Sequence, residues 1–340
     1  MSRTFAQTLW WALGMLIAVA REYCASAPFD RAMGTGFPCP QPGASFRLLC
    51  KTALVAETAD LVTNVSDTAR WVAAFRAAES ARPDALFHDP LADRVAGDRG
   101  RAIAAQTPRF MRNGWNLVAR TKLIDDLILK TIAQGCDRVV NLAAGMDTRP
   151  YRLDLPSEFS WIEADLPELV TEKNELLNGE APRCALTRTA VDLAEPEVRG
   201  QFLDEALAGA QRALVLTEGL IYYLSDDDVI GLTAALARPE IAWWALDVNN
   251  QAVVKRMGKA TAELLANAPW HFGPVDPLAF FADLGWTADE VEPLVSAARR
   301  FNRLPWFMKA TTLFPQPDPR KPIENSWKPW SSVVRLTHRQ

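Results

Sequence analysis

Between Arg138 and Val248 the chain alternates short apolar or β-branched runs with amphipathic stretches, and this alternation narrows its fold more than any other feature. The runs are RVVNLA (138–143), SWIEA (160–164), CALTRTAV (184–191), RALVL (212–216) and IAWWALDV (241–248). Helical spacing fills the gaps over 167–177, near 198–207 and over 225–237. Strands that recur with helices between them build a mostly parallel sheet covered on both faces, an α/β architecture. In such sheets ligands sit at the carboxyl ends of the strands. Functional residues are therefore expected just after Val140, Ile162, Val191 and Leu216.

Ahead of this unit, Asp67–Ser80 reads as a helix broken by Arg82-Pro83-Asp84, and 86–97 as a turn with a short helix. Asn116–Gln134 is a longer amphipathic helix with Leu117, Ile124, Leu127, Ile128 and Ile132 on one stripe, closed by Gly135. Residues 1–60 lack sustained periodicity and read as an extension without fixed structure. Within them Thr8–Ala20 is an apolar run followed by small residues at Cys24–Ala27, resembling a secretory signal but too short to span a bilayer. The net charge of −4 offers no field for a polyanion, which sets nucleic acid aside. Five cysteines without a CxxC pair and three scattered histidines give no metal-ligand spacing.

The chemistry-bearing positions lie where the topology requires them. The first strand runs into Asn141-Leu142-Ala143-Ala144-Gly145-Met146-Asp147-Thr148-Arg149, whose small residues admit close approach of a ligand or simply make a tight turn. Asp165, ending the second strand, reads equally as an acceptor for ribose hydroxyls or as a cap for the following helix. Asp192 with Leu193 ends the third, as an adenine contact or a solvated turn. Glu218 ends the fourth, where a carboxylate is costly unless paired and so points to function. Arg120 interrupts the apolar stripe of its helix, either snorkelling to solvent or clamping a ligand carboxylate.

These pieces together resemble the ordered signature of the leucine carboxyl methyltransferase family, in particular its bacterial branch of S-adenosyl-L-methionine-dependent proteins. They are 139–149, Glu163-Ala164-Asp165-Leu166-Pro167, Val191-Asp192-Leu193 and Glu218 through Leu224. Arg82 through Ala92 resembles that branch's N-terminal motif. The resemblance implies a class I methyltransferase Rossmann-like fold, with a mostly parallel seven-stranded sheet, helices on both faces and a helical N-terminal cap. It implies S-adenosyl-L-methionine as cofactor. Arg120 would take its methionine carboxylate and Glu218 would face its amino group. Ala143 and Gly145 would pass beneath the methionine part. Asp165 would hold the ribose, and Asp192 and Leu193 the adenine. Arg70 or Arg76 would add a basic contact. One departure stands out: Ala143 replaces the first glycine of the family's turn, which raises the question of crowding or lost activity.

The expected reaction is O-methylation of a carboxylate or hydroxyl on a small molecule or peptide. The competing readings are an NAD(P)-dependent oxidoreductase and a non-catalytic binding protein. Tyr222, Tyr223 and His88 are candidates to line the acceptor pocket, though the tyrosines read more readily as packing and His88 as part of a turn. Arg149 reads as a draw for an acidic acceptor or as a cap or salt bridge. Asp226-Asp227-Asp228 behind Ser225 reads as a capping box rather than a metal site. The expected division is an extension over 1–60, a methyltransferase domain over 61–315 with a cap (61–115) and a lid insertion (250–285), and an irregular tail over 316–340. Pro305–Leu313 is expected to be the late antiparallel strand. The chain is expected to be cytoplasmic, without stable membrane insertion, and the sequence leaves its oligomeric state open.

Overall fold

The computed structural model describes residues 62–108, 110–309, 320–321 and 328–338; the expectations for residues 1–60 lie outside them. Two helices open the described chain, α1 (Ser66–Ser80) and α2 (Ala92–Gln106), and α3 (Trp115–Ala133) leads into the sheet unit. There β1 (Arg138–Leu142), β2 (Ser160–Asp165), β3 (Ala185–Ala190), β4 (Ala213–Thr217) and β5 (Ile241–Asn249) alternate with α4 (Arg149–Arg152), α5 (Pro167–Leu176), α6 (Pro196–Leu207) and α7 (Asp226–Ala235). The chain continues through α8 (Gln251–Ala260), α9 (Pro277–Asp283), β6 (Trp286–Pro293), α10 (Leu294–Arg300), α11 (Trp306–Lys309) and β7 (Ser331–His338). The α2 segment is longer than its sequence predicts. It runs on to Gln106 past a break at Gly97, whose φ of 58° a glycine tolerates.

The seven strands lie in the order β3-β2-β1-β4-β5-β7-β6. Strands β1 to β5 pair in parallel, while β7 runs antiparallel between β5 and β6. The order reverses between β1 and β4, which opens a crevice at their carboxyl ends. Alternate residues of the central strands β1, β4 and β5 feed two cores. Val140, Leu142, Val215, Trp244 and Leu246 pack under α6, α7 and α9, whereas Val139, Leu214, Leu216, Trp243 and Ala245 pack under α3 and α10. At roughly 25 cal/mol per Å² of apolar surface buried, this double covering is the main stabilising term of the sheet.

The late strand differs from expectation. Trp306–Lys309 is helical, and the strand beside β5 is Ser331–His338. That stretch lies inside the region expected to be an irregular tail. The preceding prolines dominate the composition, but SSVVRLTH itself carries β-branched residues, and Ser332 to Leu336 are buried. Its inner position is filled by Val333, Val334 and Leu336, so the segment is core.

Candidate active site

The turn after β1 is held from the end of β2. Oδ2 of Asp165 accepts the backbone N–H of Gly145 at 2.6 Å, and Oδ1 accepts that of Leu166 at 2.8 Å. Leu166 is the residue that caps α5, without a side-chain bond, so Asp165 is not that helix's cap. No cation forms an ion pair with Asp165 among the described residues. Burial pushes its carboxyl above the usual range, and the two amides together with the more distant Lys173 charge offset this only in part. Ala143 has φ of 52° and Gly145 φ of 50°. The turn therefore keeps the left-handed conformation of a glycine at 143 despite the methyl group, at a cost of about 1–2 kcal/mol. Gly145 has its own steric reason, since a Cβ there would stand 2.9 Å from the Ala69 side chain of α1.

The turn after β4 is held in the same way from the end of β5. Oδ1 of Asp247 accepts the N–H of Gly219 at 2.7 Å, and Gly219 has φ of 70°. Here, however, the carboxylate is also paired, because Nη1 of Arg120 lies 3.0 Å from Asp247 Oδ2. The Arg120 Nε donates to Glu218 at 2.9 Å, and its Nη1 donates to the Tyr222 hydroxyl at 2.9 Å. Arg120 is buried and does not snorkel; its Nη2 makes no hydrogen bond within the described residues. Asp247 escaped the sequence reading, although a carboxylate near the end of the apolar run IAWWALDV carries the same signal that singled out Glu218.

A buried ionic network joins these turns to the helices. Arg149 binds Asp125 of α3 through Nε at 2.7 Å, and Asp147 and Glu218 through Nη1 at 2.8 and 2.7 Å. Arg152 grips Asp125 at 2.7 and 2.8 Å. Arg76 of α1 donates to Asp89 at 2.8 Å and to the Met146 carbonyl at 2.5 Å, and Thr148 also donates to Asp89. Of the two basic candidates on α1, Arg76 thus reaches the turn after β1, while Arg70 pairs with Asp67 and Glu172. Burial alone would push the Glu218 carboxyl up, but Arg149 and Arg120 outweigh it and hold the group below its ordinary value.

The remaining candidates separate. Tyr222 is buried against Trp270 with ring centroids 4.4 Å apart, and Tyr223 packs beside it at 4.9 Å. Burial, first among several causes, raises both hydroxyls above their ordinary value. His88 is exposed next to the buried Asp89. Asp192 is exposed and its Oδ1 accepts the Ala194 N–H at 2.9 Å, a local turn; Leu193 is partly buried against the sheet core. Ser225 and Asp228 form a reciprocal capping box, which accounts for the acidic run.

The profile of the leucine carboxyl methyltransferase family matches residues 69–237. A protein of Frankia alni, named by inference as an S-adenosyl-L-methionine-dependent methyltransferase, is 35% identical over 236 residues, 65% of this chain and 82% of its own length. The chain belongs to the leucine carboxyl methyltransferase family. A Streptomyces avermitilis relative, similarly named, is 33% identical over 65% of this chain and 83% of its own. A solved DUF574 family protein from Streptomyces avermitilis superposes with a TM-score of 0.49 at 13% identity, over 80% of this chain and 97% of its own. In this family member the sheet has the order and the mostly parallel sense of a class I methyltransferase. None of its described helices is long and apolar enough to cross a membrane.

Proposed function

We propose that this family member is an S-adenosyl-L-methionine-dependent methyltransferase whose cofactor lies across the two glycine turns and whose acceptor is a carboxylate. The observation that carries the cofactor reading is Asp165. Its two oxygens are fixed by backbone amides, no cation forms an ion pair with it among the described residues, and it stands at the crevice with lone pairs left to accept ribose hydroxyls. The unspent Nη2 of Arg120 fits a ligand carboxylate, and Glu218 fits an ammonium group. Leu193 would offer an apolar wall to adenine beside Asp192. The residues present therefore suit this group, Ala143 included, because its backbone already follows the glycine path.

When bound, the cofactor supplies an electrophilic methyl on a sulfonium. The chain's task is then to hold the acceptor in line and exclude water. A hydroxyl acceptor would require a base. Around the β4 turn, Glu218 and Asp247 are tied up with arginines, and the hydroxyls of Tyr222 and Tyr223 are raised. Glu218 is held low, and Asp247, though raised by burial, is engaged by Arg120 and the Gly219 amide. The tyrosines keep their protons near neutral pH, so none of these groups stands free as a base. An acceptor that arrives as a carboxylate needs no such step, and it fits these surroundings better than an alcohol. Tyr222, Tyr223 and Trp270 would form the wall of its pocket, with 250–285 as its lid.

Isothermal titration with S-adenosylhomocysteine, NAD and NADP tests the reading. Saturable one-site binding of S-adenosylhomocysteine alone is expected, and binding of a nicotinamide cofactor instead would overturn it. Turnover confined to carboxylate acceptors supports the second half. A cofactor bound tightly without turnover on any such acceptor would make the chain a binding protein.

A further inference from the structure

We infer that Arg149 is the positioning residue for the methionine end of this site, its guanidinium fixing Glu218 at the angle and charge that receive the cofactor's amino group. The inference rests on the cofactor reading above. Arg149 is 2% exposed and meets three carboxylates from three parts of the chain: Asp125 on α3, Asp147 after β1 and Glu218 after β4. Asp125 is in turn immobilised by both terminal nitrogens of Arg152, so the anchor of Arg149 is itself fixed. A buried arginine engaged in this way cannot draw an acceptor from solvent. What it can do is set where Glu218 stands.

The groups facing Glu218 are Arg120 from α3, Asp147 from the β1 turn, Arg149 from the start of α4, and Asp247 from β5 through their shared partner Arg120. Two are cations and two are anions. Removing Arg149 leaves burial and the Asp147 charge opposed by Arg120 alone, so Glu218 takes up a proton at a higher pH. A neutral Glu218 no longer pairs with an ammonium group. A lysine at 149 keeps the charge but loses the fork that spans three carboxylates.

The test is S-adenosylhomocysteine affinity by calorimetry on the full chain, read as the ratio to wild type from roughly pH 8.5 down to roughly 5.5. Arg149→Met is expected to bind about tenfold or more weakly at the upper end, with the ratio falling further as pH drops, towards about tenfold per pH unit. Adding Glu218→Gln to that variant is expected to leave binding weak but make the ratio independent of pH. Arg149→Lys is expected to bind several-fold more weakly, again with a constant ratio. If Arg149 only fastens α3 to the turns, folded Arg149→Met has a lower melting temperature and a constant ratio near one, and the inference falls. Should Arg149→Met not fold, an unchanged affinity in Arg149→Lys overturns it equally. Failure of the wild type to bind S-adenosylhomocysteine is a separate result, because it removes the cofactor reading before any variant is compared.

Discussion

The two glycine turns at the crevice are built on one plan and differ in a single respect. In each, an aspartate at the end of the neighbouring strand accepts the turn glycine's N–H, Asp165 for Gly145 and Asp247 for Gly219. Among the described residues the hydrogen-bond partners of Asp165 are backbone amides, while Asp247 is bound to a buried arginine. The carboxylate without a cation is the one available to a neutral polyol. The paired one has become part of the frame that aims Arg120 and Glu218. On the proposed function the same geometry would serve binding in one half of the sheet and support in the other, with the counter-ion of the carboxylate as the difference between them.

The sharpest way to break this comparison is to remove each aspartate. Asp247→Ala strands Arg120 beside one remaining carboxylate and frees the Gly219 amide. Breaking a buried pair in this way is expected to cost about 3–5 kcal/mol of stability, read by denaturant unfolding. Asp165→Ala is expected to lose about 3 kcal/mol of S-adenosylhomocysteine binding, a hundredfold or more, with a much smaller change in unfolding. Equal stability losses in the two variants, or normal affinity in the second, would show that the halves do not divide the work.

Lowering the pH should separate Asp165 from the carboxylates that arginines hold low, without a mutation. Burial raises the Asp165 carboxyl, so in the folded protein it takes up a proton above the ordinary 3.8, and its ionised form costs stability that is relieved as pH falls. Asp89 is the opposite case. Burial pushes it up, but Arg76 and Arg152 outweigh this, so its stabilising contribution is present above 3.8 and is lost only as pH falls through its lowered value. Asp147, under Arg149, and Glu218 are lowered likewise, whereas burial raises Asp247 despite Arg120, so that carboxyl shifts in the same direction as Asp165. Cofactor affinity should therefore decline first, while circular dichroism is unchanged, and the fold should give way at a lower pH. Asp165→Asn should abolish the first decline. Simultaneous loss of affinity and structure in the wild type would contradict this order.

What the sequence disclosed follows the same division. The strands were legible because β-branched and aromatic runs sit between helical spacings. Asp165 stood out because it is last in its strand, where it read equally as a ribose acceptor or as a helix cap; the structure removes the cap. The support half was less so. Arg120, Arg149 and Glu218 stood out as charges in apolar or motif settings, yet their mutual pairing spans 98 residues in the case of Arg120 and Glu218. No local pattern encodes such a distance. Asp247 went unread because it lies within a strand of otherwise ordinary core residues. The last strand was misplaced for a related reason: prolines upstream of Ser331 set the local composition, while the vacancy beside β5 that the strand fills is a property of the whole sheet.

Ala143 gives the smallest and most exact probe of the binding half. Its φ of 52° places a methyl-bearing residue where only glycine is unstrained. Substituting glycine relieves about 1–2 kcal/mol of left-handed strain and adds about 0.5–1 kcal/mol of unfolded-state freedom, so Ala143→Gly should be stabilised by roughly 0.5–1 kcal/mol. If the methyl also stands between the turn and the cofactor, affinity for S-adenosylhomocysteine should rise in the same variant. A gain in stability alone would mean that the alanine strains the turn without obstructing the ligand. A loss of stability would mean that neighbouring contacts to the methyl outweigh the backbone strain, and that the turn of this chain has been rebuilt around alanine.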